Sequence, residues 1–147
     1  MPRKRVFCAD WQLGCRGEPF AVGDEVTWAL VPYGAQDRRS GVGHGAEARV
    51  ENHGGPDERS AGRVRAIELV QRDHTPHPAA PEPGLVPRPA GCRLDPVAGS
   101  VTMESADTCP RWFEETTPGA ADGPVRIRRT VGVLVTLDIT GSARRAR

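Results

Sequence analysis

A chain of 147 residues fits a single domain, and its 37% hydrophobic and 5% aromatic residues predict a modest core with long loops. Its 20 basic and 19 acidic residues leave a net charge of +1, which excludes steering to nucleic acid or anionic membrane by a global field. The chain shows neither an apolar run of membrane-helix length nor a signal-peptide core after its basic start. We therefore expect a cytoplasmic protein with no membrane partner.

The first predicted strand covers residues 4–11, in which Val6 and Phe7 are apolar. Residues 12–17 then place Cys15 between glycines. Glycine permits the backbone conformations that tight turns need, so this stretch predicts a turn.

The stretch 22–30 starts with a Gly-Asp turn signal and continues as an apolar-rich strand. Trp28 alternates with Val26 and Leu30, and alternate residues of a strand share one face. The sequence therefore predicts Trp28 to be a core residue. Pro32 is expected to end the strand, because proline has no amide hydrogen to donate to a central ladder.

Residues 34–62 are predicted to be a glycine-rich insertion with one short helix over 46–52, closed by His53-Gly54-Gly55. A second strand signature covers 62–70. Its apolar residues change parity part-way, from Val64 to Ile67. A β-bulge or a sharp bend of the barrel produces such a switch, so we expect one of the two in this strand.

The stretch 73–96 is rich in proline and is predicted to be an exposed loop. A further strand is expected over 97–103, and a loop containing Trp112 and Phe113 over 108–123. The final strand signature, 125–139, has apolar residues on one parity that only Arg129 interrupts, which predicts one long strand or two joined strands.

Together these segments predict a mainly β fold: a small, partly open barrel of five or six strands, SH3-like or OB-like, with long Gly- and Pro-rich loops. We expect one β-rich domain over 1–141, containing the 34–62 insertion and the 73–96 loop. A basic tail follows at 142–147. The basic residues at both ends of the chain are expected to be frayed and solvated.

Four aromatic residues are candidate binding residues: Trp11, Tyr33, Trp112 and Phe113. Trp11 and the Trp112-Phe113 pair lie at predicted strand ends or in loops, where they either line a binding groove or cover the open end of the barrel. Exposed aromatic and arginine side chains suit a protein partner or a single-stranded nucleic acid.

Catalytic and metal-binding signals are weak. The four cysteines, at positions 8, 15, 92 and 109, form no Cys-x-x-Cys pair and are expected to be free thiols. No catalytic residue and no cofactor is predicted. Cys15 and His53, both flanked by glycine, remain the candidate pair for a zinc-supported domain or for Cys–His chemistry in a small hydrolase.

Two resemblances accompany these patterns. Residues 6–28, the His53-Gly54-Gly55 triplet and residues 132–138 resemble the landmarks of a small actinobacterial, Streptomyces-type, protein family of unknown function. That resemblance implies no activity, cofactor or partner. Gly-Asp-x-Val followed by Gly-x-Val-x-x-Ile is similar to SH3-like barrels, and this similarity concerns the fold alone.

The leading functional prediction is a non-enzymatic cytoplasmic binding or accessory module that contacts another protein. It rests on the lack of a catalytic constellation, the near-neutral charge and the loop aromatics. One alternative is nucleic-acid binding through the barrel face and the basic termini, and another is the zinc-supported domain or small hydrolase. The oligomeric state is left open.

Overall fold

The structure, a computed structural model, describes residues 2–16, 18–51, 56–78, 92–115 and 126–144. In chain order the elements are β1 (Arg3–Ala9), α1 (Asp10–Arg16), β2 (Phe20–Ala21), β3 (Glu25–Trp28), β4 (Leu30–Pro32), α2 (Ala35–Ser40), β5 (Ala48–Val50), β6 (Glu58–Pro78), β7 (Cys92–Pro96), β8 (Thr102–Ala106), β9 (Thr108–Cys109) and β10 (Ile127–Arg144). Strands dominate, which confirms the predicted mainly β fold.

One curled sheet forms the body of the protein. Its strand order is β3-β6-β10-β1-β5-β4, and β7 and β8 also pair with β6. The six strands of this path form an open half-barrel, as the predicted partly open barrel requires. β1 and β5 run parallel, whereas the other described pairs are antiparallel. β2 and β9 form a second, small sheet.

The main core lies on one face of the curled sheet. Its buried members are Val6, Cys8, Leu13, Phe20, Ala48, Val50, Val64, Ile67, Cys109, Val133, Val135 and Leu137. Trp28 is partly buried, packs against this cluster and meets the Phe20 ring edge-on at 5.1 Å between ring centroids. The predicted core role of Trp28 is thus confirmed, although its side chain is not fully enclosed.

A smaller cluster lies on the opposite face of the sheet. Ala46, Val70 and Leu134 form its buried centre. Leu134 lies between two main-core residues on β10, and alternate residues of a strand face opposite sides. Both faces of the central strands are therefore covered by apolar side chains.

Residues 10–16 form the helix α1, so the turn predicted there is wrong, and Trp11 lies in a helix rather than a strand. Asp10 is in the first turn, where a carboxylate interacts favourably with the helix dipole. Leu13 is buried in the main core. Tertiary burial therefore outweighs the low helix propensity of the glycine within this short helix.

The helix predicted over 46–52 is also wrong, because residues 48–50 form β5. Ala48 and Val50 are buried, and Arg49 between them is not, as expected for a strand with one face on the core. β5 pairs with both β1 and β4. The helix of this region lies earlier, at α2, which ends at Ser40 and is capped by Gly41 with a φ of 78°. Residues 52–55, with His53, lie outside the described residues.

Of the two alternatives predicted for β6, a bulge or a sharp bend, the structure has a bulge. Thr136 pairs with Ala66 and Leu137 with Val64, so Arg65 is the extra residue. Val64 and Ile67 consequently both face the core, three positions apart.

Strands occupy both ends of the stretch expected to be a proline-rich loop, since β6 continues to Pro78 and pairs there with β7. Residues 79–91 lie outside the described part of the chain. The strand expected over 97–103 begins later, at Thr102. Val101 and Met103 are exposed instead of facing a core.

The last strand, β10, is continuous with a bulge at Val131, where the register shifts between Thr130 and Gly132. It extends to Arg144, into the predicted basic tail. The other basic terminus is ordered as well, because Arg3 begins β1 and pairs with Asp138 on β10. The expectation of a frayed N-terminal tail is therefore wrong.

Candidate functional site: a tryptophan pocket

Three of the four predicted binding residues line one pocket of about 300 Å³. We call it the tryptophan pocket; its lining is Asp10, Trp11, Arg111, Trp112, Phe113, Glu115, Arg129 and Thr130. Trp11 is 53% exposed and Trp112 is 70% exposed. Two tryptophans this open to solvent, far apart in sequence and adjacent in the fold, are unusual on a small domain.

Three elements build the walls of the pocket. α1 brings Asp10 and Trp11, the segment after β9 brings residues 111–115, and β10 forms the remaining wall. β9 is fixed by its pairing with β2 and by burial of Cys109. Phe113 packs against the main core, which holds the segment in place while the neighbouring Trp112 stays outside.

Charged side chains pair across the pocket. Arg129 contacts Asp10 Oδ2 at 3.2 Å and Glu115 Oε1 at 3.1 Å. The Arg111 guanidinium lies 5.7 Å from the centre of the Trp112 ring, within the range of a cation–π contact. The four charges sum to zero, so the pocket offers aromatic surface with balanced charges rather than a strongly charged cleft.

Sequence reasoning found the aromatic residues but missed the charged ones. One signal for Arg129 was available, because it alone interrupts the apolar parity of the last strand. The ion pairs of Arg129 follow from the fold, because β10 places this residue next to α1 and to the segment after β9. The hydrophobic pattern of the sequence does not show that placement.

Tyr33 lies elsewhere. It packs against the smaller cluster, and an atom at the Cβ position of Gly43 would be only 2.5 Å from its ring. Burial raises the pKa of the Tyr33 hydroxyl. The ring is half-buried and outside the pocket lining, so the structure does not join Tyr33 to the other three candidates.

Two cysteines, Cys8 and Cys109, are buried free thiols. Burial raises the pKa of Cys109 to about 12; burial, with smaller effects of Cys109 and Asp10, raises the pKa of Cys8 to about 12. The reactive form of cysteine is the thiolate, so both are chemically inert at neutral pH.

The proposed metal pair stays a prediction. The Cys15 side chain and the whole of His53 lie outside the described residues. Among the residues that the structure does describe, no group of three or more histidine, cysteine or acidic side chains is placed to hold a metal ion. None of the described helices is both long and apolar enough to cross a membrane.

The fold and the pocket define a mainly β half-barrel with an exposed aromatic site. The chain belongs to DUF6578, a family of unknown function, whose profile matches residues 2–139. No curated protein and no solved structure matches the chain.

Proposed function

We propose that the protein is a non-enzymatic cytoplasmic binding or accessory module that contacts another protein through the tryptophan pocket. The observation that carries this proposal is the convergence of Trp11 and Trp112, both largely exposed, on one concave site. Tryptophan and arginine are the residues most enriched among energetic hot spots of protein interfaces, and both types line this pocket.

The layout of the pocket suits a protein segment. Phe113 and the two tryptophans supply apolar surface, and the Arg129 ion pairs supply polar groups at the side of it. Apolar anchors beside polar groups are the usual arrangement of an interface centre and its rim. The volume accommodates one or two partner side chains rather than a large cofactor.

The test compares capture by the wild-type protein and by Trp11→Ala, Trp112→Ala and the double variant. Lysate of the organism that encodes the protein is split into nuclease-treated and untreated halves, and bound proteins are quantified by mass spectrometry. Val42→Ala is the matched control, because Val42 is 58% exposed and lies outside the pocket lining.

We expect one partner that survives nuclease, is lost with the tryptophan variants and is retained by Val42→Ala. The partner is then purified and titrated against each variant, where loss of an aromatic anchor weakens binding by about tenfold or more. Equal capture by wild type and double variant contradicts the proposed contact site.

Nucleic-acid binding through the barrel face and the basic termini is the second candidate, supported by one charge arrangement. Arg3 and Arg65 both contact Asp138, each at 3.0 Å, so two cations share one carboxylate on an exposed part of the sheet. Removing both arginines should weaken binding to single-stranded oligonucleotides and reduce its salt dependence. Binding that is absent, or insensitive to salt, contradicts this candidate; Arg38→Ala on α2 is the control.

A further inference from the structure

Arg72, on β6, lacks a counter-ion within the described part of the chain. Its Nε atom is buried with no hydrogen-bond partner, while the residue as a whole is only partly buried. A buried donor without a partner costs free energy, so native proteins rarely keep one unless water or a ligand satisfies it.

The position of Arg72 opposite a second cation is also unusual. The register of β6 and β10 places Arg72 directly opposite Arg129, and residues in such a pair project from the same face of the sheet. Like charges opposite each other are destabilising. Arg129 is neutralised by Asp10 and Glu115, whereas no carboxylate among the described residues contacts Arg72.

His44 lies close enough to Arg72 for the arginine charge to affect its pKa. His44 has a φ of 52°, in the left-handed region that non-glycine residues rarely adopt, and its ring lies 5.1 Å from the Phe7 ring. Burial and, to a smaller extent, the Arg72 charge lower the pKa of His44. The lowered pKa favours the neutral imidazole, which offers a hydrogen-bonding nitrogen without a competing charge.

We propose that Arg72, whose buried Nε has no partner and which lies opposite Arg129, binds a small oxyanion: the phosphate or carboxylate group of a small anionic ligand. A planar guanidinium matches the two oxygens of such a group, and the charge-assisted hydrogen bonds are stronger than neutral ones. The anion supplies the missing counter-charge opposite Arg129. This site is separate from the pocket lining and does not depend on the protein-binding proposal.

The experiment titrates isotope-labelled protein with inorganic phosphate, and separately with acetate, at constant ionic strength set with chloride. NMR follows the Arg72 Nε–H signal and the His44 ring signals. We expect both residues to shift in a saturable way with at least one of the two anions. Saturation by phosphate alone identifies a phosphate site, and saturation by acetate identifies a carboxylate site.

Two variants locate the binding. Arg72→Met should weaken the anion affinity, read from the His44 signals, by about tenfold or more, and Arg72→Lys should weaken it less because the charge is kept. The matched control is Arg63→Met on the same strand, since Arg63 already contacts Glu25 at 3.3 Å. We expect the control to bind like wild type.

A thermal-melting series without added anion provides a second readout. Arg72→Met should be neutral or stabilising, because it removes an unsatisfied buried donor. The proposal is overturned if neither anion shifts Arg72, if the shifts persist unchanged in Arg72→Met, or if Arg72→Met alone destabilises the protein, which would reveal a structural partner.

Discussion

The two buried cysteines show how burial dominates the chemistry of a residue. Cys8 in β1 and Cys109 in β9 belong to the same core cluster. Each thiol donates a weak hydrogen bond to the carbonyl oxygen of the residue that follows it, Ala9 or Pro110. They act as small apolar residues that connect the pocket-bearing segment to the main sheet.

Both thiols should resist alkylation in the folded protein. At pH 8 we expect iodoacetamide to leave Cys8 and Cys109 unmodified, because burial suppresses the thiolate at both positions. Peptide mapping by mass spectrometry measures the modification at each cysteine. Denatured protein is the control, in which both should react; rapid labelling of either one in the native state contradicts the assignment.

Alkaline pH should destabilise the fold through the same pair. Burial raises the pKa of each thiol from the ordinary 9.0 to about 12, so the folded state favours the neutral form. Their contribution to stability is intact below pH 9 and is lost as the pH rises towards 12. Urea unfolding midpoints at pH 8 and pH 10 measure this loss, which should be smaller in the Cys8→Ala, Cys109→Ala double variant. An equal loss in that variant would assign the effect to other groups.

Gly132 is required by a close approach of two strands. A Cβ atom there would lie 2.5 Å from both the Cys8 carbonyl oxygen and the Phe7 ring. Gly132→Ala should therefore lower the free energy of unfolding by about 1–3 kcal/mol, as overpacking does in well-packed cores. Gly141→Ala on the same strand is the matched control, since its Cβ position is open. Urea unfolding compares the two, and equal stabilities contradict the steric reason.

At the scale of elements, Arg129 connects three pieces of the fold. It lies on β10 and contacts Asp10 of α1 and Glu115 of the segment after β9. These groups are partly exposed, so each pair contributes about 1 kcal/mol or less. Their effect is to position the walls of the pocket relative to each other.

Arg129→Met should loosen the pocket without unfolding the sheet. We expect faster amide hydrogen exchange in α1 and in residues 110–115, because the variant leaves two carboxylates close together with no cation between them. Exchange across β6 should stay unchanged. Arg63→Met serves as the control; faster exchange spread evenly over the chain would contradict a local role.

The elements also show which sequence signals are reliable. Strand patterns with strong alternation, such as that of β10, and the parity change in β6 were interpreted correctly, since both report directly on which residues face the core. The turn predicted in place of α1 and the helix predicted in place of β5 are wrong. Each is at most seven residues long, and each is stabilised by contacts with distant strands rather than by local propensity. The pocket likewise forms from segments that are far apart in sequence. The sequence therefore predicts its aromatic residues but not its geometry.

Across the whole molecule, the strands that pair are often distant in sequence. β1 pairs along its full length with β10, from Arg3 opposite Asp138 to Ala9 opposite Gly132. β3 pairs with β6 across the insertion that contains α2 and β5. Such non-local pairing requires the closure of long loops, and the chain loses this conformational entropy before the new contacts stabilise it.

Refolding should therefore be slow for a chain of this size. We expect a main phase of about milliseconds to seconds, the range of β proteins dominated by non-local contacts. Stopped-flow dilution from urea, followed by tryptophan fluorescence, measures the phase. Complete recovery within microseconds would contradict the dominance of non-local pairing.

Because β1 lies between β10 and β5 in the sheet, its pairing during synthesis depends on when the ribosome completes β10. Its antiparallel partner β10 begins at Ile127, so β1, which ends at Ala9, is synthesised more than a hundred residues before that partner and must wait for it. At about 5–20 residues per second, that delay is on the order of ten seconds. Until then the edge of β1 that pairs with β10 presents unpaired backbone N–H and C=O groups, so we expect β1 to be open to a chaperone during synthesis.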